Sequence, residues 1–214
     1  MIRNFLILIG LAMTYACTTP NSEENKSESN IDELIGQMTL EEKVHMLHGS
    51  GKFTSDGVER LGIPDLKSAD GPLGVREEIQ NDSWAPAGWT NDFATFFPAG
   101  GGLSSTWNLE LAKKYGVAIG EEARSRDKDV LLAPAVNLIR SPLGGRNFEY
   151  FTEDPFLNKK LTVPYVLGLQ DQDVAACVKH YAINNQETLR GSIDVQADER
   201  TIREMYLPVF EAAV

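Results

Sequence analysis

The stretch that decides the fold reads Val174-Ala-Ala-Cys-Val178 and continues as Lys179-His-Tyr-Ala-Ile-Asn-Asn-Gln-Glu-Thr-Leu-Arg190. The apolar run predicts a buried strand, in which Cys177 is a buried and inert thiol. The strand then ends in charged and amide side chains, which are costly to bury unless they bind one another or a polar ligand. A neutral ligand rich in hydroxyl groups suits this mixture of donors and acceptors. The alternative is an ordinary strand followed by a polar loop.

Strands and helices alternate along the rest of the chain, which predicts an α/β fold with a parallel sheet. The three predicted strands lead into polar residues, namely Asp70, Asn137 and Lys179 with His180. Because sites in such folds lie at the carboxyl ends of strands, we expect these side chains to converge. The predicted strands are Leu66–Ala69, Val130–Val136 and Val174–Val178, and the predicted helices are a short one capped by Thr39, then Trp107–Arg126, Tyr150–Gly168 and Ile202–Val214, the last interrupted at Pro208.

Composition excludes several functions. The chain has 214 residues, 42% of them hydrophobic, and a net charge of −11, so one soluble domain fits and nucleic acid is not an expected partner.

Gly49-Ser-Gly-Lys52 lacks the remaining residues of a phosphate loop, and no dinucleotide fingerprint follows a strand. His45 and His48 lie one helical turn apart without an acidic third ligand, which indicates a solvated helix face. We therefore expect no cofactor and no metal.

The N-terminus has the features of an export signal. Arg3 precedes the nine-residue apolar run from Phe5 to Met13, which is too short to span a bilayer. Ala16–Cys17 resembles the lipobox of bacterial lipoproteins, so residues 1–16 are predicted to be a lipoprotein signal peptide and Cys17 the lipidated residue. Residues 17–30 are predicted to be a disordered tether. The expected location is the periplasm, outer membrane or cell surface of a bacterium, with the lipid as the only membrane anchor; an ordinary signal peptide cut nearby is the alternative.

Five motifs, in order, carry a family resemblance over residues 31–214. They are Met38-Thr-Leu-Glu-Glu-Lys43, Asp70-Gly-Pro-Leu-Gly-Val-Arg76, Leu132-Ala-Pro-Ala-Val136, Gly145-Arg-Asn-Phe-Glu-Tyr-Phe-Thr-Glu-Asp-Pro155 and Lys179-His-Tyr-Ala-Ile-Asn-Asn-Gln-Glu-Thr188. With these motifs the chain resembles the N-terminal domain of family 3 glycoside hydrolases, the β-glucosidase family. The resemblance implies the N-terminal part of a (β/α)8 TIM-type barrel, whose pocket holds one terminal sugar.

The resemblance also implies a set of sugar-binding residues. A carboxylate can accept two hydroxyl protons from a sugar, and lysine and arginine can donate to hydroxyl oxygens. The alternative is an internal network of ion pairs, with Arg146 bound to Glu149 and Arg190 bound to Glu187. The implied sugar-binding residues are Asp70, Arg76, Arg146, Lys179, His180 and Arg190.

The implied reaction is retaining hydrolysis of terminal, non-reducing β-linked sugars, which requires two carboxylates about 5 Å apart. In the family both carboxylates lie in segments later in the sequence. The motifs that carry them do not occur in this sequence, so no catalytic residue is assigned. Tyr181-Ala-Ile-Asn-Asn185 lacks the histidine-bearing, glycine-rich loop of the N-acetylglucosaminidase branch. We expect an incomplete barrel that holds the sugar-binding half of an O-glycosyl hydrolase and needs the missing C-terminal part of the enzyme. The alternative is an inactive fragment or a sugar-binding lipoprotein.

Overall fold

A computed structural model describes residues 22–78 and 93–214. The predicted signal peptide, residues 1–16, and the predicted lipidation site Cys17 lie outside the described residues. The chain divides into two compact units between Lys43 and Val44. Within the described residues, no helix combines the length and the apolar character that crossing a membrane requires.

Two helices begin the described part of the chain: α1, Ser22–Gln37, and α2, Leu40–Met46. The predicted capping box of α2 is confirmed, because Glu42 N donates to Thr39 Oγ1 at 3.2 Å and Thr39 N donates to Glu42 Oε2 at 2.7 Å. The predicted tether over residues 17–30 differs from the structure, where residues 22–30 belong to α1. Extending a helix costs less free energy than starting one, so the polar segment can continue the helix that contains Ile31 and Ile35.

The second unit contains a sheet with the strand order β1-β2-β3-β4. Strands β2, β3 and β4 are parallel, which confirms the predicted parallel sheet, and Ala69 pairs with Leu131, which pairs with Ala176. Strand β1 is antiparallel to β2 and was not expected from the sequence. The strands are β1 Thr54–Ser55, β2 Leu66–Asp70, β3 Val130–Leu132 and β4 Ala175–Ala176.

Helices follow the parallel strands in the predicted order. Asn108 caps the amino end of α4 by accepting from Leu111 N at 3.0 Å, and Asp154 caps α5 by accepting from Phe156 N at 2.8 Å. Capping by Asp154 explains why α5 begins later than predicted from Tyr150. The helices are α3 Gly100–Ser104, α4 Leu109–Ser125, α5 Pro155–Gln170, α6 Glu199–Thr201 and α7 Leu207–Ala213, with 3-10 turns at Glu59–Leu61 and Asn147–Glu149 and a π-helical turn at Ile202–Tyr206. This π-helical turn precedes Pro208, where the sequence predicts an interruption.

Helices α4 and α5 pack with their backbones in close approach. A Cβ atom on Gly116 would lie 2.2 Å from Tyr165 O, and one on Gly168 would lie 2.3 Å from Lys113 O. These two glycines therefore allow the two helices to cover the same side of the sheet. The core behind the sheet contains Ile119, Leu131, Leu161, Tyr165 and Leu169, all fully buried.

The prediction for Cys177 was wrong, because its side chain is exposed. Cys177 N donates to Leu131 O at 2.9 Å, so the backbone does join the sheet. Side chains alternate between the two faces of a strand. Val174 and Val178 lie on the face that packs against the helices, whereas Cys177 lies on the opposite face, which the described residues leave uncovered.

Candidate sugar-binding site

The ends of β2 and β4 bring Asp70 and Lys179 together. Sheet pairing resumes beyond β3, where Lys179 N donates to Pro134 O at 3.0 Å and Val136 N donates to Lys179 O at 2.6 Å. This pairing carries Lys179 to the carboxyl edge of the sheet, where its Nζ lies 2.5 Å from Asp70 Oδ1. The ion pair is partly buried, with side-chain exposures of 15% for Lys179 and 31% for Asp70.

A tight loop follows Asp70 and brings the chain back beside that residue at Arg76. Arg76 N donates to Asp70 O at 2.9 Å, which closes the loop. Gly71 has φ +154°, and a Cβ atom there would lie 1.8 Å from Gly74 O, so the loop requires glycine at this position. The Arg76 guanidinium lies 5.2 Å from the centre of the Phe53 ring, a distance typical of a cation–π contact.

His180 is held on several sides. Its Nε2 lies 3.1 Å from Arg146 Nη2, its Nδ1 lies 3.4 Å from the Tyr150 hydroxyl, and its backbone carbonyl accepts from Asn137 Nδ2 at 2.8 Å. Because arginine only donates, Nε2 must accept and the ring proton belongs on Nδ1. Burial, followed by the positive charges of Arg146 and Lys179, lowers the pKa of His180 to about 4. The imidazole is therefore neutral at pH 7.

Arg146 lies between two carboxylates. Its Nε donates to Glu149 Oε1 at 2.6 Å, and its Nη1 donates to Glu187 Oε1. Glu149 is 3% exposed, and burial raises its pKa although Arg146 and Lys179 oppose that rise. Glu187 also pairs with Arg190, whose Nε lies 3.5 Å from Glu187 Oε2 at the exposed rim.

The structure thus brings Asp70, Lys179, His180 and Arg146 into one cluster, while Arg190 lies at its exposed rim, paired with Glu187. Both ion pairs of the alternative interpretation, Arg146 with Glu149 and Arg190 with Glu187, are present as well. The two interpretations are compatible, because ion pairs that hold Arg146 in place also fix its donors for a ligand.

Three residues around the cluster were not assigned as sugar-binding residues from the sequence: Asn137, which was expected only to converge with the other strand ends, Glu149, which was named only as a partner of Arg146, and Tyr150, which was not singled out. Asn137 is fully buried, and its Oδ1 accepts from Asn184 N at 2.8 Å, so it ties the segment after His180 to the end of β3. Tyr150 donates its hydroxyl hydrogen to Asn184 O. Their signal in the sequence is position, because Asn137 follows an apolar run directly and Glu149 lies three residues after Arg146.

This arrangement can bind and orient a neutral polar ring. One carboxylate oxygen, two cationic groups and a neutral imidazole supply acceptors and donors at one edge of the sheet. Among residues 22–78 and 93–214, no group of three or more metal-ligating side chains lies together.

Known proteins with similar sequences include several β-glucosidases. The β-glucosidase BoGH3A of Bacteroides ovatus is 57% identical over 187 residues, which are 87% of this chain and 25% of that protein. Thermostable β-glucosidase B of Acetivibrio thermocellus is 45% identical over 185 residues, 86% of this chain and 24% of that protein. The chain therefore spans about a quarter of the length of the curated relatives it matches.

A solved structure shows the same fold. β-Glucosidase 3B from Thermotoga neapolitana, in complex with glucose, matches with a TM-score of 0.76 and 42% identity over 86% of this chain and 27% of that one. This similarity supports the predicted fold class, the N-terminal part of a TIM-type barrel. Residues 19–214 match the family described as the N terminal domain of glycosyl hydrolase family 3. The chain belongs to glycosyl hydrolase family 3 and carries that N-terminal domain.

Proposed function

We propose that the Asp70–Lys179–His180–Arg146 cluster binds the terminal sugar of a β-glucoside, and that the chain forms the sugar-binding half of a β-glucosidase-type hydrolase. One observation carries the proposal: the contacts of Lys179 with Asp70 at 2.5 Å and of Arg146 with His180 at 3.1 Å bring together donors and acceptors from the ends of β2 and β4 and from the loop after β3. A hexose needs this kind of surface, because each hydroxyl both donates and accepts.

The chain's own residues bind and orient the ring in this proposal. The free oxygen of Asp70 accepts from sugar hydroxyls, while Lys179 and Arg146 donate to hydroxyl oxygens. Neutral His180 contributes a hydrogen-bonding group without adding a positive charge near the anomeric carbon. Bond cleavage needs a nucleophile and an acid/base, which the family resemblance assigns to segments beyond this sequence. Turnover of β-linked oligosaccharides is therefore proposed for the enzyme that contains both parts.

Equilibrium binding tests the proposal. Methyl β-glucoside is titrated into the unaltered chain and into the variants Asp70→Ala and Lys179→Ala, and binding is measured by calorimetry. The control variant is Glu110→Ala, because Glu110 lies on the exposed side of α4. We expect the first two variants to lose about tenfold or more in affinity and the control to keep it, since hydrogen bonds to charged groups contribute about 1.5–3 kcal/mol. Absence of binding by the unaltered chain would contradict the proposal.

Hydrolysis provides a second test. The isolated chain should not hydrolyse an aryl β-glucoside above background, because sugar contacts orient the ring without attacking it. Turnover that disappears in Asp70→Ala would show that the nucleophile had been misplaced.

We also propose export and lipid anchoring through Cys17, supported by the Ala16–Cys17 junction after an apolar run. Cys17→Ala should move the protein from the membrane fraction to the soluble fraction. Cys177→Ala, which keeps the lipobox, should leave it in the membrane fraction. A Cys17→Ala variant that stays membrane-bound would overturn the assignment.

A further inference from the structure

Tyr150 is a buried tyrosine whose hydroxyl lies beside the His180 ring. Its side chain is fully buried, and its hydroxyl oxygen lies 3.4 Å from His180 Nδ1. The two rings meet edge to face, with their centres 6.3 Å apart and their planes at 79°. Burial, followed by the negative charge of Glu149, raises the pKa of Tyr150, so the hydroxyl keeps its proton at pH 7. The imidazole of His180 therefore has a neutral hydroxyl next to its Nδ1 atom.

A backbone carbonyl fixes the direction of the Tyr150 hydroxyl hydrogen. The hydroxyl contacts Asn184 O, which can only accept, so the single hydroxyl hydrogen points to that carbonyl. The other oxygen near the hydroxyl is Asn137 Oδ1, at 3.5 Å, and it already accepts from Asn184 N at 2.8 Å. The lone pairs of the Tyr150 oxygen are therefore left to accept a hydrogen bond from His180 Nδ1.

Asn137 holds the backbone at both ends of this contact. Its Nδ2 donates to His180 O at 2.8 Å, and its Oδ1 accepts from Asn184 N. Because a carbonyl only accepts and a backbone N–H only donates, these two contacts fix the orientation of the Asn137 amide. One buried side chain thus sets the position of His180 relative to the carbonyl that orients Tyr150.

Arg146 requires the same tautomer from the other ring nitrogen. Its Nη2 lies 3.1 Å from His180 Nε2 and can only donate, so Nε2 carries no hydrogen. The neutral imidazole then has its hydrogen on Nδ1, where the Tyr150 oxygen accepts it. With the hydrogen on Nε2 instead, two donors would face each other at Arg146 and two lone pairs would face each other at Tyr150. One tautomer satisfies both contacts, and the other breaks both.

We propose that Tyr150 is a positioning residue, whose hydroxyl holds His180 in the Nδ1–H tautomer and keeps the Nε2 lone pair directed at Arg146 and the bound sugar. The effect on binding rests on the proposed function, because it requires a sugar in the Asp70–Lys179–His180–Arg146 cluster. The hydrogen bond made by one ring nitrogen determines which form the other nitrogen presents.

Loss of the Tyr150 hydroxyl should therefore change the cluster from outside it. Without that oxygen, the Nδ1–H of His180 has no acceptor in a buried position, which is costly. Transfer of the hydrogen to Nε2, or rotation of the ring, relieves this cost and removes the acceptor that faces Arg146. Sugar affinity then falls, although no group that contacts the sugar has been replaced.

Imidazole NMR combined with sugar titration tests the proposal. Two-bond 1H–15N correlation spectra at pH 7 distinguish the two tautomers, and comparison with His180→Gln identifies the His180 signals among those of the three histidines. Spectra, melting curves and calorimetric titrations with methyl β-glucoside are recorded for the unaltered chain, Tyr150→Phe and Tyr115→Phe. Tyr115 is the matched control, because it is a buried tyrosine whose hydroxyl also donates to a backbone carbonyl, Pro98 O, at 2.9 Å.

We expect His180 to be the Nδ1–H tautomer in the unaltered chain. Tyr150→Phe should shift His180 toward the Nε2–H tautomer and weaken methyl β-glucoside binding about 3- to 10-fold, whereas Tyr115→Phe should keep the tautomer and change the affinity less than about twofold. Both variants should melt at a lower temperature, because each loses a buried hydrogen bond. The tautomer and the affinity, not the melting temperature, separate positioning from a structural role.

An Nε2–H tautomer of His180 in the unaltered chain would overturn the proposal, whether or not the variants fold. A Tyr150→Phe protein that keeps the Nδ1–H tautomer, or that binds the sugar as tightly as the unaltered chain, would also overturn it. These outcomes leave the proposed function standing as long as the unaltered chain binds methyl β-glucoside. Failure of the unaltered chain to bind this sugar would overturn both.

Discussion

Lys179 Nζ lies 2.5 Å from Asp70 Oδ1, although the two residues are 109 positions apart in the sequence. Strand β3 lies between the strands that carry them, so their backbones are separated by two strand spacings, about 10 Å. The long lysine side chain crosses this distance over the edge of the sheet. The contact therefore depends on the order and register of three strands.

Replacing Asp70 by Asn should lower the free energy of unfolding by about 1–3 kcal/mol, because Lys179 then loses a charged partner in a partly buried position. Urea denaturation measures the change. The matched control is Glu110→Gln, which breaks the exposed pair with Lys114 and should cost less than about 0.5 kcal/mol. Equal losses in the two variants would show that burial does not strengthen the Asp70 pair.

Glu149 should respond differently to loss of charge and to loss of the side chain. Glu149→Ala removes the buried acceptor of Arg146 and should cost about 2–4 kcal/mol of unfolding free energy. Glu149→Gln keeps an acceptor and should cost less than about 1 kcal/mol, because the raised pKa of Glu149 means that burial already disfavours its charge. Glu187→Ala, at an exposed partner of the same arginine, should cost at most about 1 kcal/mol. A Gln variant as unstable as the Ala variant would contradict this account.

His180 should make the protein less stable as the pH falls from about 6.5 to about 4. The pKa of His180 in the folded state, about 4, lies below the ordinary histidine value of 6.5, so the unfolded chain takes up the proton first. The contribution is fully present above pH 6.5, is lost through this window, and amounts to at most about 3 kcal/mol.

Unfolding free energies of the unaltered chain and of His180→Gln, measured between pH 7.5 and pH 4, isolate this contribution. As the pH falls, the unaltered chain should lose unfolding free energy relative to His180→Gln. Glu149 is present in both proteins, so its titration does not contribute to the difference. A constant difference across the window would mean that His180 is not desolvated in the fold.

Gly71→Ala should destabilise the loop after β2 by about 2 kcal/mol or more, because the new Cβ atom would lie 1.8 Å from Gly74 O. Sugar affinity should fall with it, since the loop begins at Asp70. Gly101→Ala is the control: nothing lies within 4 Å of the added carbon in α3, so the melting temperature should stay the same or rise. A Gly71 variant that melts like the Gly101 variant would disprove the steric argument.

The sequence by itself determined the features that depend on neighbours along the chain. The alternation of strands and helices predicted a parallel sheet, and the capping box at Thr39 predicted the start of α2. The pairs of Arg146 with Glu149 and of Arg190 with Glu187, each three residues apart, were named as the alternative to sugar binding, and both are present. Such contacts form within one or two turns of backbone, so residue type and spacing are sufficient to predict them.

The sequence predicted that the polar strand ends converge, but only the tertiary structure decided which side chains are in contact there and which faces of the strands are covered. The contacts of Lys179 with Asp70 and of Arg146 with His180 require a specific strand register and a specific loop path, which no local pattern encodes. Cys177 shows the same limit, because an apolar run predicts a strand but does not indicate which of its two faces is covered. Burial is a property of packed elements, and it is burial that lowers the pKa of His180 and raises that of Glu149.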